Sequence, residues 1–325
     1  MRAIPNHTGG SPEQKENQSM ETESFQVYRH SGKFYAHGPF AAVVAAVVAG
    51  FPLGYAYAYF MKWIPFIYLN FLVTLGYGFF FGAVIGALMK WGKVRNTLVV
   101  LVTSLVAGFI ALYFSWNGHI HSLFPDAPTI CRPNVMLNGM KALYREGSWG
   151  LHGSGPVTGI PLAIVWVVEA GVILGLTTAT AVGMIASTPF CENAMCWLDK
   201  KRTINTLAPF TDPAQVAAIK SGDLRPLTQA RPKPTGADSW TRLTLKYSPS
   251  TESLYTVRLQ NITRQVQKDG KIKEVAENLT GDLIVPKSMF ELISKFQKFR
   301  DPNDSPEEPE EPEPEAAGGT ATPQA

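Results

Sequence analysis

An apolar run from Ile64 to Met89 is long enough to cross a lipid bilayer, whose hydrocarbon core takes about 20 residues of helix. It is one of four such runs, at about 40–61, 64–89, 98–116 and 160–187. Nothing else in the chain limits the fold so strongly. Backbone N–H and C=O groups find no water inside lipid, so a spanning segment bonds within itself or closes into a barrel. Continuous apolar runs, rather than short alternating ones, select helices. The expected fold is a membrane all-α four-helix bundle. A polar second half, which brings the mean hydropathy to +0.01, leaves room for one small cytoplasmic α+β domain.

Small residues recur at every fourth position in three of the runs. Gly78, Gly82 and Gly86 do so in the second, and Ala42, Ala46, Gly50, Gly54 and Ala58 in the first. In the fourth the set is Gly171, Gly175, Ala179, Gly183 and Ser187. On a helix each set makes a ridge without bulk, and a second helix packs closely along it. The third run has only the weaker pairs Ser104/Gly108 and Ala107/Ala111. These ridges predict Gly/Ala packing seams within one chain; self-association through them into a pore is the alternative. Pro52 is expected to kink the first helix, and Tyr55, Tyr57, Tyr59 and Trp63 read as an interfacial belt at its far end. So little chain separates the first two runs that they form an antiparallel hairpin.

Basic residues set the orientation. Arg29 and Lys33 precede the first span, Lys90, Lys93 and Arg95 separate the second and third, and Lys200, Lys201 and Arg202 follow the fourth. The opposite flanks carry Lys62 alone or the widely spread Arg132, Lys141 and Arg145. The positive-inside rule then puts both termini in the cytoplasm, and the membrane reads as a bacterial inner or plasma membrane. The net charge is +3, yet the last 25 residues hold eight acids and no base, so 29 Lys and Arg face 18 acids in the remainder. Anionic lipid headgroups at Lys90, Lys93, Arg95, Lys200, Lys201 and Arg202 account for that excess, at about 1 kcal/mol per basic residue near the surface. No nucleic-acid partner is needed.

Composition divides the rest. Residues 1–35 read as a disordered N-terminal tail, 36–189 as the four-span domain, 190–239 as a juxtamembrane segment and linker, and 301–325 as a disordered acidic Glu/Pro tail. The outer loop 117–159 contains an apolar stripe over Val135–Tyr144 that predicts a short helix on the membrane surface. Asp212 and Pro213 open a helix to Lys220. Over 240–300, strands are expected at Trp240–Tyr247, Leu254–Ile262, Thr263–Val275 (with a hairpin turn at Asp269-Gly270) and Leu283–Val285, then a helix from Pro286.

Candidate chemistry is sparse. Glu169 lies within the hydrocarbon of the fourth span, where a carboxyl costs on the order of 2.5–3.5 kcal/mol and so faces protein or water. Its rotation puts it opposite the glycine ridge, on the face of Leu176 and Thr180, and Asn70, Thr74 and Tyr77 of the second span are candidate partners. It is either a proton or ion site or a protonated packing residue. His119 and His121, with His152, Asp126 and Cys131 in the same loop, allow a zinc or copper site, although their spacing fixes no third ligand; solvated histidines are the plainer reading. Cys191 and Cys196 are too far apart for a CxxC motif and read as reduced thiols, with palmitoylation the alternative. The Gly147–Gly155 run lacks the Lys-Ser/Thr of a phosphate cradle. No catalytic motif and no cofactor fingerprint is present. The sequence therefore points to a non-enzymatic membrane scaffold or sensor whose cytoplasmic domain meets a protein partner. A transporter or channel subunit using Glu169 comes next, and a metal or redox protein using His119 and His121 third.

Overall fold

The computed structural model describes residues 25–64, 67–147, 155–249, 254–268 and 270–295. Two units divide the chain. One comprises residues 29–199 with 248–254, and the other comprises residues up to 28, 200–247 and from 255 onward.

The first unit holds four long apolar helices: α1 (His37–Trp63), α2 (Ile67–Trp91), α3 (Thr97–Leu123) and α5 (Gly159–Ala186). Each is long and apolar enough to cross a bilayer, which makes this a multi-pass membrane protein. Pro52 lies inside α1 without ending it. Asn96 caps α3, its side-chain oxygen accepting from Leu98 N and Val99 N at 3.0 and 3.1 Å. The third span was expected to stop near residue 116, but its helix continues for two more turns to Leu123. Those turns are polar at Asn117, His119 and His121, which is why hydropathy ends the span early. The surface helix expected in the outer loop is α4 (Pro133–Glu146), opened by Pro133.

Helix α1 packs chiefly on α3, α2 on α5, and α3 also on α5. A Cβ at Gly54 would stand 2.8 Å from Ser115 N, one at Gly50 3.2 Å from the Phe114 ring, and one at Gly78 3.1 Å from Leu176 Cβ. At Gly86 it would lie 2.7 Å from Met184 Sδ. The fourth span departs from expectation. Among the described residues nothing lies within 4 Å of a Cβ built at Gly171, Gly175 or Gly183. What α5 buries is Leu162, Ile173, Thr177, Ala181 and Ile185. Close approach needs only one flat side at each contact, and α2 supplies it, so the small-residue face of α5 is left open.

At the end of the bundle carrying residues 29–35, a strap, a turn and a hairpin meet. Strands β1 (Phe190–Cys191) and β2 (Cys196–Trp197) form the hairpin, with Cys191 paired to Cys196. Trp197 Nε1 donates to Lys90 O at 2.8 Å, and Lys90 pairs with Asp199. The Arg95 side chain is 1% exposed. It donates to Glu192 at 3.0 Å, and its guanidinium lies 4.5 Å from the Phe190 ring and 5.4 Å from that of Tyr35. Arg95, expected among the headgroup contacts, is enclosed by neighbouring backbone and rings.

The second unit is a sheet of order β3 (Lys200–Leu207), β4 (Ser239–Tyr247), β5 (Tyr255–Val266) and β6 (Ile272–Asn278), with β7 (Leu283–Val285) also on β5. All pairs are antiparallel. Helices α6 (Pro213–Lys220), α7 (Arg225–Gln229) and α8 (Lys287–Lys295) cover one face, with Ile219, Leu227 and Ile293 packed against Leu243, Leu245 and Leu259. Asp212 caps α6 as expected, accepting from Ala214 N at 2.8 Å. Two boundaries differ from the sequence reading. The basic stretch Lys200–Arg202 opens strand β3, so the domain begins 40 residues earlier than expected. Residues 25–28, counted with the tail, belong to the sheet: Val27 bridges Leu283, Ile284 N donates to Gln26 O at 2.8 Å, and Tyr28 N donates to Asp282 O at 2.7 Å. A segment with only Phe25 and Val27 as apolar residues carries too little signal to stand out.

Candidate functional site

The one acidic residue inside the four spanning helices is Glu169 of α5, and the fold gives it a partner on α1. Tyr57 OH bonds Glu169 Oε1 at 2.5 Å. The same hydroxyl lies 2.9 Å from Thr74 Oγ1 of α2, and Thr74 Oγ1 donates to Asn70 O at 3.0 Å. A polar chain therefore crosses three helices inside the apolar bundle. The Tyr57 ring stacks on Tyr77, centroids 4.6 Å apart and planes 17° from parallel. Tyr77 in turn donates to Ala111 O of α3 at 3.2 Å. Asn70 Nδ2 donates to Ile64 O at 3.2 Å, and its buried Oδ1 has no partner among the described residues.

The expected site residues separate into two groups. Glu169, Asn70 and Tyr77 come together around Tyr57 and Thr74. Thr180 does not join them, because it lies eleven residues along α5, about 16 Å of helix. It packs instead where a Cβ on Gly82 would stand 2.9 Å from it. Tyr57 is the residue that sequence reading missed, having been placed in an aromatic belt with Tyr55 and Tyr59. Its spacing held a signal: it follows Gly54 by three residues and precedes Ala58, so it rides on the small-residue ridge that α1 buries. Tyr55 and Tyr59 are rotated about 200° away. Tyr55 bonds Thr129 O, and Tyr59 lies against Trp63.

The histidine reading fares differently. His119 and His121 sit on α3, two positions apart, so their side chains leave the helix about 200° apart. The His119 ring meets Trp116 at 5.7 Å, and His121 Nδ1 lies 3.2 Å from Ala127 O. His152 falls outside the described residues. Among the described residues no three His, Cys, Asp or Glu side chains are grouped to hold a metal. Cys131 is buried, its N–H donating to Asn117 Oδ1 at 2.6 Å.

On the sheet domain the polar centre is Asp282, 8% exposed, which accepts from Lys246 at 3.1 Å and from Arg258 Nε at 3.0 Å. Burial pushes Lys246 below the usual lysine range, against the attraction of Asp282. Strand β6 forms one edge of the sheet and is exposed at every residue. No family model matches the chain, and no characterised protein or solved structure resembles it significantly.

Proposed function

We propose that the protein is a non-enzymatic membrane adaptor: the four-helix bundle anchors it, and the sheet domain takes up a cytoplasmic protein. One observation carries this reading. Among the described residues strand β6 pairs with β5 alone, and it holds Ile272 and Val275 at 65% and 38% exposure. An open edge offers backbone hydrogen bonds to a partner's extended segment, and its exposed apolar side chains add selectivity. In this reading the small-residue ridges of α1 and α2 are packing seams. Lys93, Lys200 and Lys201 meet anionic headgroups, and both termini lie in the cytoplasm of a bacterial inner or plasma membrane, as the distribution of Lys and Arg favours. The test is affinity purification of the full-length protein from native membranes, wild type beside an Ile272→Lys/Val275→Lys variant. A defined partner recovered only with wild type supports the adaptor. The same partners with both proteins overturn the edge as the docking strand, and an empty wild-type eluate overturns the adaptor itself.

A second reading, a transporter or channel subunit carrying a proton or ion past Glu169, is favoured by the bonded carboxyl inside the bundle. Proton or cation flux into proteoliposomes, wild type against Glu169→Gln, decides it.

A further inference from the structure

Hydrogen counting across the intramembrane chain assigns a ligand to Glu169. Three hydrogen bonds are made in series: Glu169 Oε1 with Tyr57 OH at 2.5 Å, Tyr57 OH with Thr74 Oγ1 at 2.9 Å, and Thr74 Oγ1 with Asn70 O at 3.0 Å. Each bond needs one hydrogen. Tyr57 and Thr74 have one hydroxyl hydrogen apiece, and the Asn70 carbonyl has none. Thr74 spends its hydrogen on Asn70 O, so Tyr57 has a single hydrogen for two neighbours. An ionised carboxylate only accepts. A carboxylic acid at Glu169 supplies the third hydrogen. Asn70 Oδ1, a buried acceptor with no partner among the described residues, adds to the shortage of donors on the same face of α2.

We infer that Glu169 is an intramembrane proton-binding site, its carboxylic acid donating to Tyr57, Tyr57 to Thr74 and Thr74 to Asn70 O. The balance is simple. Uptake of one proton by the carboxylate forms one O–H bond and leaves no other group changed in charge. Loss of that proton turns the chain round: Tyr57 donates to the carboxylate, Thr74 turns to Tyr57, and the bond to Asn70 O is given up. Occupancy of one carboxyl is thereby written into the hydroxyl orientation of α1 and α2.

The surroundings offer no competing charge. Among the described residues Glu169 makes no ion pair with Lys, Arg or His. The titratable side chains on the packed helices are His37, Tyr55, Tyr57, Tyr59 and Lys62 on α1, Tyr68, Tyr77 and Lys90 on α2, and Tyr113, His119 and His121 on α3; Lys62 donates to Ser122 O and Lys90 pairs with Asp199. Tyr77 bonds Ala111 O, Tyr113 bonds Cys131 O, His119 packs on Trp116 and His121 bonds Ala127 O. This inference stands whether the protein is an adaptor or a transporter.

Infrared difference spectra of the full-length protein in liposomes test it. Wild type at neutral pH should show a protonated-carboxyl C=O band that disappears in Glu169→Gln. The band should move to higher frequency in Tyr57→Phe, which removes its hydrogen-bond partner. Glu169→Gln keeps the chain intact, because the amide can donate to Tyr57 in place of the acid. Thr74→Val serves as the second probe should Tyr57→Phe fail to insert; it too should shift the band. A Glu169-dependent signal confined to the carboxylate region, or an acid band indifferent to both hydroxyl variants, overturns the assignment.

Discussion

Gly82 of α2 sits so near Thr177 of α5 that a Cβ on the glycine would stand 2.6 Å from the Thr177 carbonyl oxygen and 2.8 Å from its Cα. Those are backbone atoms and cannot swing aside. Gly82→Leu is expected to force the two helices apart, costing about 3 kcal/mol or more by the usual scale of overpacking. Gly175→Leu, with nothing within 4 Å of its Cβ, should leave the monomer's stability unchanged to within about 0.5 kcal/mol. Denaturant unfolding in detergent, the two variants side by side, checks the contrast; equal losses would contradict the packing of α5.

Arg95 is enclosed by Tyr35 and Phe190 and paired to Glu192. Removing it leaves the partner acid and two aromatic faces without their cation. Arg95→Ala is expected to cost about 3 kcal/mol, and Arg95→Lys should recover little, because an ammonium cannot lie flat between two rings. Limited proteolysis of residues 29–36 reports the loosening directly.

Across the β1–β2 hairpin Cys191 and Cys196 are directly opposed, and neither is in a disulfide among the described residues. Opposed residues of an antiparallel pair have Cα atoms about 4.5–5.5 Å apart, inside the span a disulfide bridges. A mild oxidant such as copper phenanthroline should link Cys191 to Cys196 within one chain, and Cys131 to neither. Peptide mapping under non-reducing conditions reads the result.

Asp282 serves two cations at once. Asp282→Ala removes the carboxylate that Lys246 and Arg258 share, and a loss of about 3 kcal/mol is expected for the sheet domain. The pH dependence follows from Lys246. Burial holds its folded value below the ordinary lysine value. In the window between those two values the unfolded chain binds more protons, so stability from this group rises as pH rises. Asp282→Asn removes the opposing attraction and should extend that window to lower pH. Hydrogen exchange of the β4 and β5 amides, followed from neutral to alkaline pH, measures both effects.

Much of this fold is legible in the residues. Hydropathy located the four spans, Asp212-Pro213 marked a helix start, and alternation marked β4 and β7. Misreadings occur where two signals share one residue. Lys200, Lys201 and Arg202 satisfy both a basic membrane flank and the first turn of a strand, and charge is the louder signal. The glycines of α5 form as regular a ridge as those of α2, yet periodicity cannot say which face of a helix meets its neighbour. Glu169 was conspicuous because a carboxyl in lipid is costly, whereas Tyr57 stood among other tyrosines and became distinct only once α1 was rotated into place. The bond between them joins residues 112 positions apart, a distance no local pattern spans.

Phe25–Tyr28 leave the ribosome before any span has been made, but Asp282 and Leu283, which they bond, come after all four. The sheet cannot close unless both segments end on one side of the bilayer. A chain that crosses an odd number of times strands its first residues across the membrane from the sheet they bond. Completion of the sheet thus audits the parity of insertion.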